Sequence, residues 1–281
     1  MAKNRRIPFM KMSGGGNDFV VLDNRSGTLP SDTGALAGRL CRRKFSIGAD
    51  GLLVLEKDAE ADFRMIYYNS DGSRAGMCGN GARCLARFAA LKGMAGNKLR
   101  FRSDAGMHEA SVDGEMVRLS MSQPRDPRID LNLALDEENV LCVSTIHTGV
   151  PHAVMVVDHV DKIDVPGLGG KIRTHKDFAP HGTNVNFVQK QDEHRLLVRT
   201  YERGVEDETL ACGTGVTASV LICALKNIVS SPVSCLTKGG GTLVVHFRLD
   251  KDQKRSRFGE VILEGPATVS FEGEVEVPEN V

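Results

Sequence analysis

The sequence has no tryptophan, only 5% of its 281 residues are aromatic, and its 36 Lys and Arg are balanced by 36 Asp and Glu. Without aromatic platforms or a basic field, stacking on single-stranded nucleic acid and attraction to a polyanion or an anionic membrane are both disfavoured. Long apolar runs are also missing. The longest mostly apolar stretch, Val216 to Val229, contains Lys226 and Asn227 and is too short to span a bilayer. The basic start, MAKNRRIPFMKM, runs into SGGGNDF with none of the apolar segment a secretory signal needs. The expectation is a soluble, cytoplasmic protein with no nucleic-acid or membrane partner. Its seven cysteines include no CxxC pair and no histidines at zinc spacing, so neither a disulfide framework nor a metal site is expected. A Walker phosphate loop is absent. The one match to a dinucleotide fingerprint, GTGVTA from Gly213, follows EDETLAC, which is too polar for a buried parallel strand.

What the chain does have is 41% hydrophobic residues over a length that is large for one core, so two compact units are expected. Sliding the sequence against itself supports this at one offset, 134, the separation of Cys78 from Cys212. At that shift Gly15 meets Gly149, Gly48 meets Gly182, Tyr67 meets Tyr201, and the CGxG segments are followed in step by Ala90-Leu91-Lys92 and Ala224-Leu225-Lys226. A shared CGxG followed by a helical apolar stripe points to an internal duplication. Short β-type runs precede it in each half: Phe19 to Leu22, Leu52 to Leu55 and Phe63 to Tyr68, then Ala153 to Val157, Asn186 to Val188 and Leu196 to Tyr201. The helices after Cys78 and Cys212 are apolar on most sides and must be largely buried. The expected class is α+β (α/β in the broader sense): two pseudosymmetric domains, each a mixed, barrel-like sheet wrapped around one central helix. The boundary is expected near Gln123 to Arg128, giving domains 1–123 and 124–264, with 265–281 a strand returning to the first.

Each half places a cysteine just before Gly-x-Gly and a helix, where unpaired backbone N–H groups and the positive end of the helix dipole converge. That environment favours thiolate, and the glycines leave room for a carboxylate to approach the same N–H groups. Inverting an amino-acid α-carbon without a cofactor needs a base on one face and an acid on the other. Two like residues serve because their roles exchange with direction. The remaining cysteines, Cys41, Cys84, Cys142, Cys223 and Cys235, read as inert buried side chains. Glu202 and Arg203 alone would read as an exposed pair at a strand end, the asparagines as turn residues, and His152 as either a satisfied or a catalytic histidine.

The stretches KMSGGGNDFVVLDNR from Lys11, GADGLLVL from Gly48, MCGNGARCLARF from Met77, TGVPHAV from Thr148, GTNVNFV from Gly182 and YERGVEDETLACGTGVTAS from Tyr201 resemble diaminopimelate epimerases. The resemblance spans nearly the whole chain. It implies the fold of that family, commonly a homodimer, and a cofactor-independent two-base epimerisation of LL-2,6-diaminopimelate to the meso form, serving lysine and peptidoglycan synthesis. It further implies Cys212 as base and Cys78 as acid in that direction, carboxylate-binding amides at Gly79, Asn80, Gly213 and Thr214, and other substrate contacts at Asn17, Asn69, Asn184, Glu202 and Arg203. His152 matches a histidine that tunes the thiols, with Glu202 in a similar role. Three positions depart from the family pattern: Ser13 stands for histidine, Val150 for asparagine and Gly51 for glutamine. A proline racemase or phenazine-biosynthesis-like isomerase, and a non-catalytic amino-acid-binding protein, are the competing readings.

Overall fold

The computed structural model describes residues 4–94, 96–137, 139–252 and 255–278. The chain divides into two compact units, one running to Leu119 and resuming at Gly265, the other Ser120–Glu264.

In the first unit, strand Asp18–Asp23 lies parallel to Gly51–Glu56, which pairs antiparallel with Phe63–Asn69. These runs form strands because Val, Leu, Ile and Phe crowd a surface buried on both faces; Val20, Val21, Leu52, Leu53 and Phe63 are all fully buried. Helix α1 (Thr33–Leu40) is capped by Asp32, whose carboxylate accepts from Ala35 N at 2.8 Å. Helix α2 (Gly79–Leu91) sits inside strands Asn4–Ser13, Asp18–Asp23, Gly51–Glu56, Phe63–Asn69 and Gly106–Asp113 and buries Ala82, Leu85, Ala86 and Phe88 among them. Strand Thr268–Pro278 pairs antiparallel with Asn4–Ser13 along its whole length.

The second unit repeats this plan. Strand Pro151–Val156 lies parallel to Asn184–Asp192, which pairs antiparallel with Arg195–Glu202, itself parallel to Val233–Thr237. Helix α3 is Val165–Arg173 and helix α4 is Gly213–Leu225, which begins 134 residues after α2 and has the same 13-residue length. α4 is packed by strands Val140–His147, Pro151–Val156, Asn184–Asp192, Arg195–Glu202 and Thr242–Asp252. Its Val216, Val220, Leu221 and Ile222 are fully buried, forming a core with Val188, Leu196, Val233 and Leu263. The architecture is thus the expected one, a sheet-dominated α+β fold with one helix at the centre of each unit.

One local reading differs, and the expected boundary segment carries a strand that the sequence left unassigned. The proline-rich segment at the expected boundary is strand from Arg125 to Ala134; Asp126 and Asp130 take φ of 53°, and the register against Val140–His147 slips there, so bulges absorb what Pro127 disturbs. Cys142 is exposed, not buried. Strand alternation turns Val143 inward and Cys142 outward, toward Asp130 and Lys226.

Candidate active site

Cys78 and Cys212 are the N-cap residues of α2 and α4, with extended backbones at φ −138° and −120°. Each carbonyl accepts the first helical bond, from Ala82 N and Val216 N at 2.8 Å. The extended N-cap leaves the amides of the next residues pointing out of the helix start, where an anion is favoured. Cys78 is half-buried and Cys212 is buried.

Around Cys78 the structure brings together Gly79, Asn80 and Asn17. Arg83, wholly buried one turn into α2, donates through Nη2 to Asn80 Oδ1 at 2.8 Å and to the Gly14 carbonyl at 3.3 Å. Asn80 Nδ2 then donates to Asn17 Oδ1 at 2.8 Å, and Asn17 Nδ2 to Asp50 Oδ2 at 3.0 Å. The chain of amides runs from a cation to a carboxylate, so the orientation of both asparagines is fixed by charge at each end. Asp50 is held in turn by Arg43, which also binds Asp18. Asp18 stays below the usual carboxylate range despite partial burial, because Arg43 and Lys11 donate to it. A β-carbon on Gly79 would meet nothing within 4 Å, so the helix start is open there. Asn69 ends its strand with Nδ2 donating to Ser73 Oγ at 3.0 Å, and its backbone pairs with Gly51, the neighbour of Asp50. The departure at Gly51 has a steric reason: a β-carbon there would lie 2.6 Å from the Tyr67 ring and the Tyr68 carbonyl.

Beside Cys212 lie Thr214 and His152; His152 pairs across the sheet with Asn184, whose side chain meets Arg203, the residue after Glu202. The Cys212 sulfur lies 3.4 Å from Thr214 Oγ1, which is 3.0 Å from His152 Nε2. His152 is 1% exposed, and burial, assisted by the positive charges of His147 and Arg203, pushes its pKa down to about 3. The imidazole is therefore neutral. Asn184 Oδ1 accepts from Arg203 N at 2.8 Å while its Nδ2 faces the Pro151 carbonyl at 3.4 Å. The Arg203 guanidinium reaches the His181 carbonyl at 3.3 Å. Burial raises the Glu202 carboxyl above its ordinary range, and both Glu202 and Arg203 are half-buried where the sequence alone permits an exposed pair. His147, Pro151, His152 and Thr183 line part of a cavity of about 590 Å³ in this unit. Sequence reasoning passed over Arg83, Asn186 and Thr200. Asn186 carried a signal, since it stands two residues from Asn184 on a strand and so shares its face.

The residues from Asp207 to Cys212 form a three-residue antiparallel strand, Asp207–Thr209, and a turn, which is not the buried parallel strand a dinucleotide site requires. Among the described residues no group of three or more His, Cys, Asp or Glu is placed to hold a metal ion, and no helix is long and apolar enough to cross a membrane.

Residues 9–125 and 144–264 match the diaminopimelate epimerase family. The chain belongs to that family. It is 44% identical to the diaminopimelate epimerase of Aquifex aeolicus, covering 95% of this chain and 97% of the relative, and 44% identical to that of Chlorobaculum tepidum, covering 94% and 99%. An archaeal diaminopimelate epimerase, from Methanocella arvoryzae, is 39% identical over 97% of this chain and 98% of its own. Among solved structures, a Bacillus anthracis phenazine biosynthesis protein of the PhzF family superposes with a TM-score of 0.75 at 14% identity, covering 97% of this chain and all (100%) of that one. A hydroxyproline epimerase from Agrobacterium vitis superposes at 0.70 with 17% identity, covering 98% and 92%. At such identities these two structures establish the shared fold alone. Membership of the family makes the chain one of the epimerase class of isomerases.

Proposed function

We propose that this protein interconverts LL- and meso-2,6-diaminopimelate by proton transfer between the substrate α-carbon and two cysteines, with no cofactor. The observation that carries the reading is the repeated address of Cys78 and Cys212, each the N-cap of a buried helix behind Gly-x-Gly. In the LL to meso direction the Cys212 thiolate takes the α-proton and becomes a thiol. The electron pair left on carbon delocalises into the α-carboxylate, whose growing charge is met by the amides of Gly79, Asn80, Gly213 and Thr214. The Cys78 thiol then delivers its proton to the opposite face and becomes a thiolate. No atom is gained or lost, and the two sulfurs exchange states, so the reverse reaction uses the same groups with roles inverted.

The far end of the substrate carries a second ammonium and a second carboxylate. Glu202 suits the ammonium, and Arg203 with Asn17, Asn69 and Asn184 suits the carboxylate, since fixed partners at both ends hold the reacting carbon in place. Val150 in place of asparagine removes one polar partner from this set. The neutral His152 tunes the thiol chemistry through hydrogen bonding and not through charge. The product, the meso isomer, is the form that lysine and peptidoglycan precursor synthesis consume.

Incubation with LL-diaminopimelate in deuterated water tests the reading: deuterium is expected at one α-carbon of the meso product. Cys78→Ser and Cys212→Ser are each expected to lower turnover by about 100-fold or more, with the fold retained by circular dichroism. Epimerisation at the normal rate by either variant would refute the two-thiol assignment.

A further inference from the structure

We propose that Asn186 is a positioning residue that holds His152 as its Nε2–H tautomer, so that the Thr214 hydroxyl proton is turned onto the Cys212 sulfur. This rests on the acid–base role of Cys212 given above, and it adds a reason for Cys212 to be readily ionised. The geometry leaves little freedom. Asn186 is wholly buried on strand Asn184–Asp192. Its Nδ2 lies 3.1 Å from the Ala153 carbonyl, which can only accept, and its Oδ1 receives the Thr200 hydroxyl at 3.0 Å. Turning the amide over would set two acceptors against each other at Ala153, so the NH2 group is the atom that faces His152 Nδ1 at 3.0 Å. One NH2 proton serves Ala153 and the other serves Nδ1.

A ring nitrogen that accepts carries no proton, and a neutral imidazole then carries its single proton on Nε2. That proton points at Thr214 Oγ1, 3.0 Å away. With its oxygen accepting from His152, Thr214 has its own hydroxyl proton left for Cys212 Sγ at 3.4 Å. A donor to sulfur stabilises the thiolate over the thiol. The second glycine of the CGxG segment makes room for the relay: a β-carbon on Gly215 would lie 2.3 Å from Asn186 Oδ1 and 3.3 Å from Thr200 Oγ1. The other charges acting on His152 are His147, from strand Val140–His147, and Arg203, beyond strand Arg195–Glu202; the first turn of α4 contains no acidic residue. At the repeat offset of 134 the partners of His152, Asn186 and Thr214 are Asp18, Leu52 and Asn80, a set without an imidazole, so the relay belongs to Cys212.

Two measurements on the full chain without substrate test this. The 15N shifts of the His152 ring are expected to show an unprotonated Nδ1 and a protonated Nε2, and Asn186→Asp, which replaces the donor with an acceptor, is expected to reverse them. The rate of Cys212 alkylation by iodoacetamide against pH, read by peptide mass spectrometry, is expected to have its midpoint raised by about one unit in Thr214→Val and in Asn186→Asp, a tenfold loss of thiolate below it. Thr214→Ser keeps the hydroxyl and is expected to keep the wild-type midpoint, which separates the hydrogen bond from a packing effect and does not depend on Asn186→Asp folding. An Nδ1-protonated ring in the wild type, or an unchanged midpoint in Thr214→Val, overturns the relay. Because alkylation requires no turnover, a failure of the epimerisation test leaves these shifts standing, and unchanged shifts remove the relay alone.

Discussion

Burying a neutral imidazole ties the stability of the fold to pH, and His152 gives that tie a size. Its pKa falls from an ordinary 6.5 to about 3, with desolvation the leading cause. The folded pKa is depressed, so as pH drops below about 6.5 the unfolded chain binds a proton that the folded chain refuses, and stability is lost down to the folded value. Between about pH 8 and pH 5 the loss is about 2 kcal/mol, since pH 5 lies about 1.5 units below the unfolded pKa at 1.36 kcal/mol per unit. The assay is urea denaturation of wild type and His152→Gln across that range. Glutamine does not titrate, and every other group is common to both proteins, so the stability advantage of wild type over the variant is expected to shrink by about 2 kcal/mol toward the acid end. Parallel pH profiles for the two proteins would refute the argument, because they would mean that His152 takes up its proton as easily folded as unfolded.

Gly215→Ala is expected to destabilise by about 1 to 3 kcal/mol in urea melts, since its β-carbon would strike the Asn186 amide at 2.3 Å, whereas Gly79→Ala, which meets nothing within 4 Å, is expected to leave stability near wild type; equal effects would contradict the crowding assigned to α4. Native-state alkylation followed by mass spectrometry is expected to modify exposed Cys142 and to spare Cys41, Cys84 and Cys223, whose thiols burial pushes up to about 12; labelling of any of those three without denaturant would count against the packing of the cores.

The parts of the fold that could be read in the sequence are those where one physical requirement dominates. α2 and α4 are legible because an apolar helix behind a glycine-rich start has few alternatives, and both begin directly after the cysteines. The strand cores are legible from runs such as Leu52 to Leu55, but their ends are not: Asn184–Asp192 continues through Lys190 and Gln191, exposed residues that belong to the strand only because Arg195–Glu202 pairs with it. α3 is illegible. VPGLGGKIR contains three glycines and reads as loop, yet it is helical because Asp164 caps Gly167 N at 3.1 Å and because Gly169 lets the helix close on Tyr201, whose β-carbon would be 2.6 Å from any added methyl. Tertiary contact overrides local propensity there. Arg83 is missed for a similar reason, since a basic residue in a helix ordinarily faces solvent, and it is acceptors distant or unremarkable in sequence, the Gly14 and Gly79 carbonyls and the Asn80 amide, that make its burial tolerable. The serial hydrogen bonds from Asn186 to Cys212 join residues up to 62 positions apart, a separation at which sequence spacing holds no geometric information.

The duplication keeps what the two helix starts demand of the backbone and changes what surrounds them. Gly81 and Gly215 occupy paired places and answer the same shortage of space, but a β-carbon on Gly81 would press on Leu53 at 3.0 Å, an apolar neighbour, whereas one on Gly215 would press on the Asn186 amide. The paired places Arg83 and Thr217 are likewise both wholly buried; Arg83 carries a charge, while Thr217 folds its hydroxyl back onto the Gly213 carbonyl at 2.9 Å. The start of α2 is therefore backed by a cation and a line of amides, and the start of α4 by a neutral imidazole and hydroxyls. In a low-dielectric interior a fixed charge acts on a nearby anion more strongly than a neutral dipole does. Two thiols with the same backbone address are thus given different surroundings, and the difference lies in side chains at paired places that differ between the halves, Asp18 and His152, Leu52 and Asn186, Asn80 and Thr214, Arg83 and Thr217.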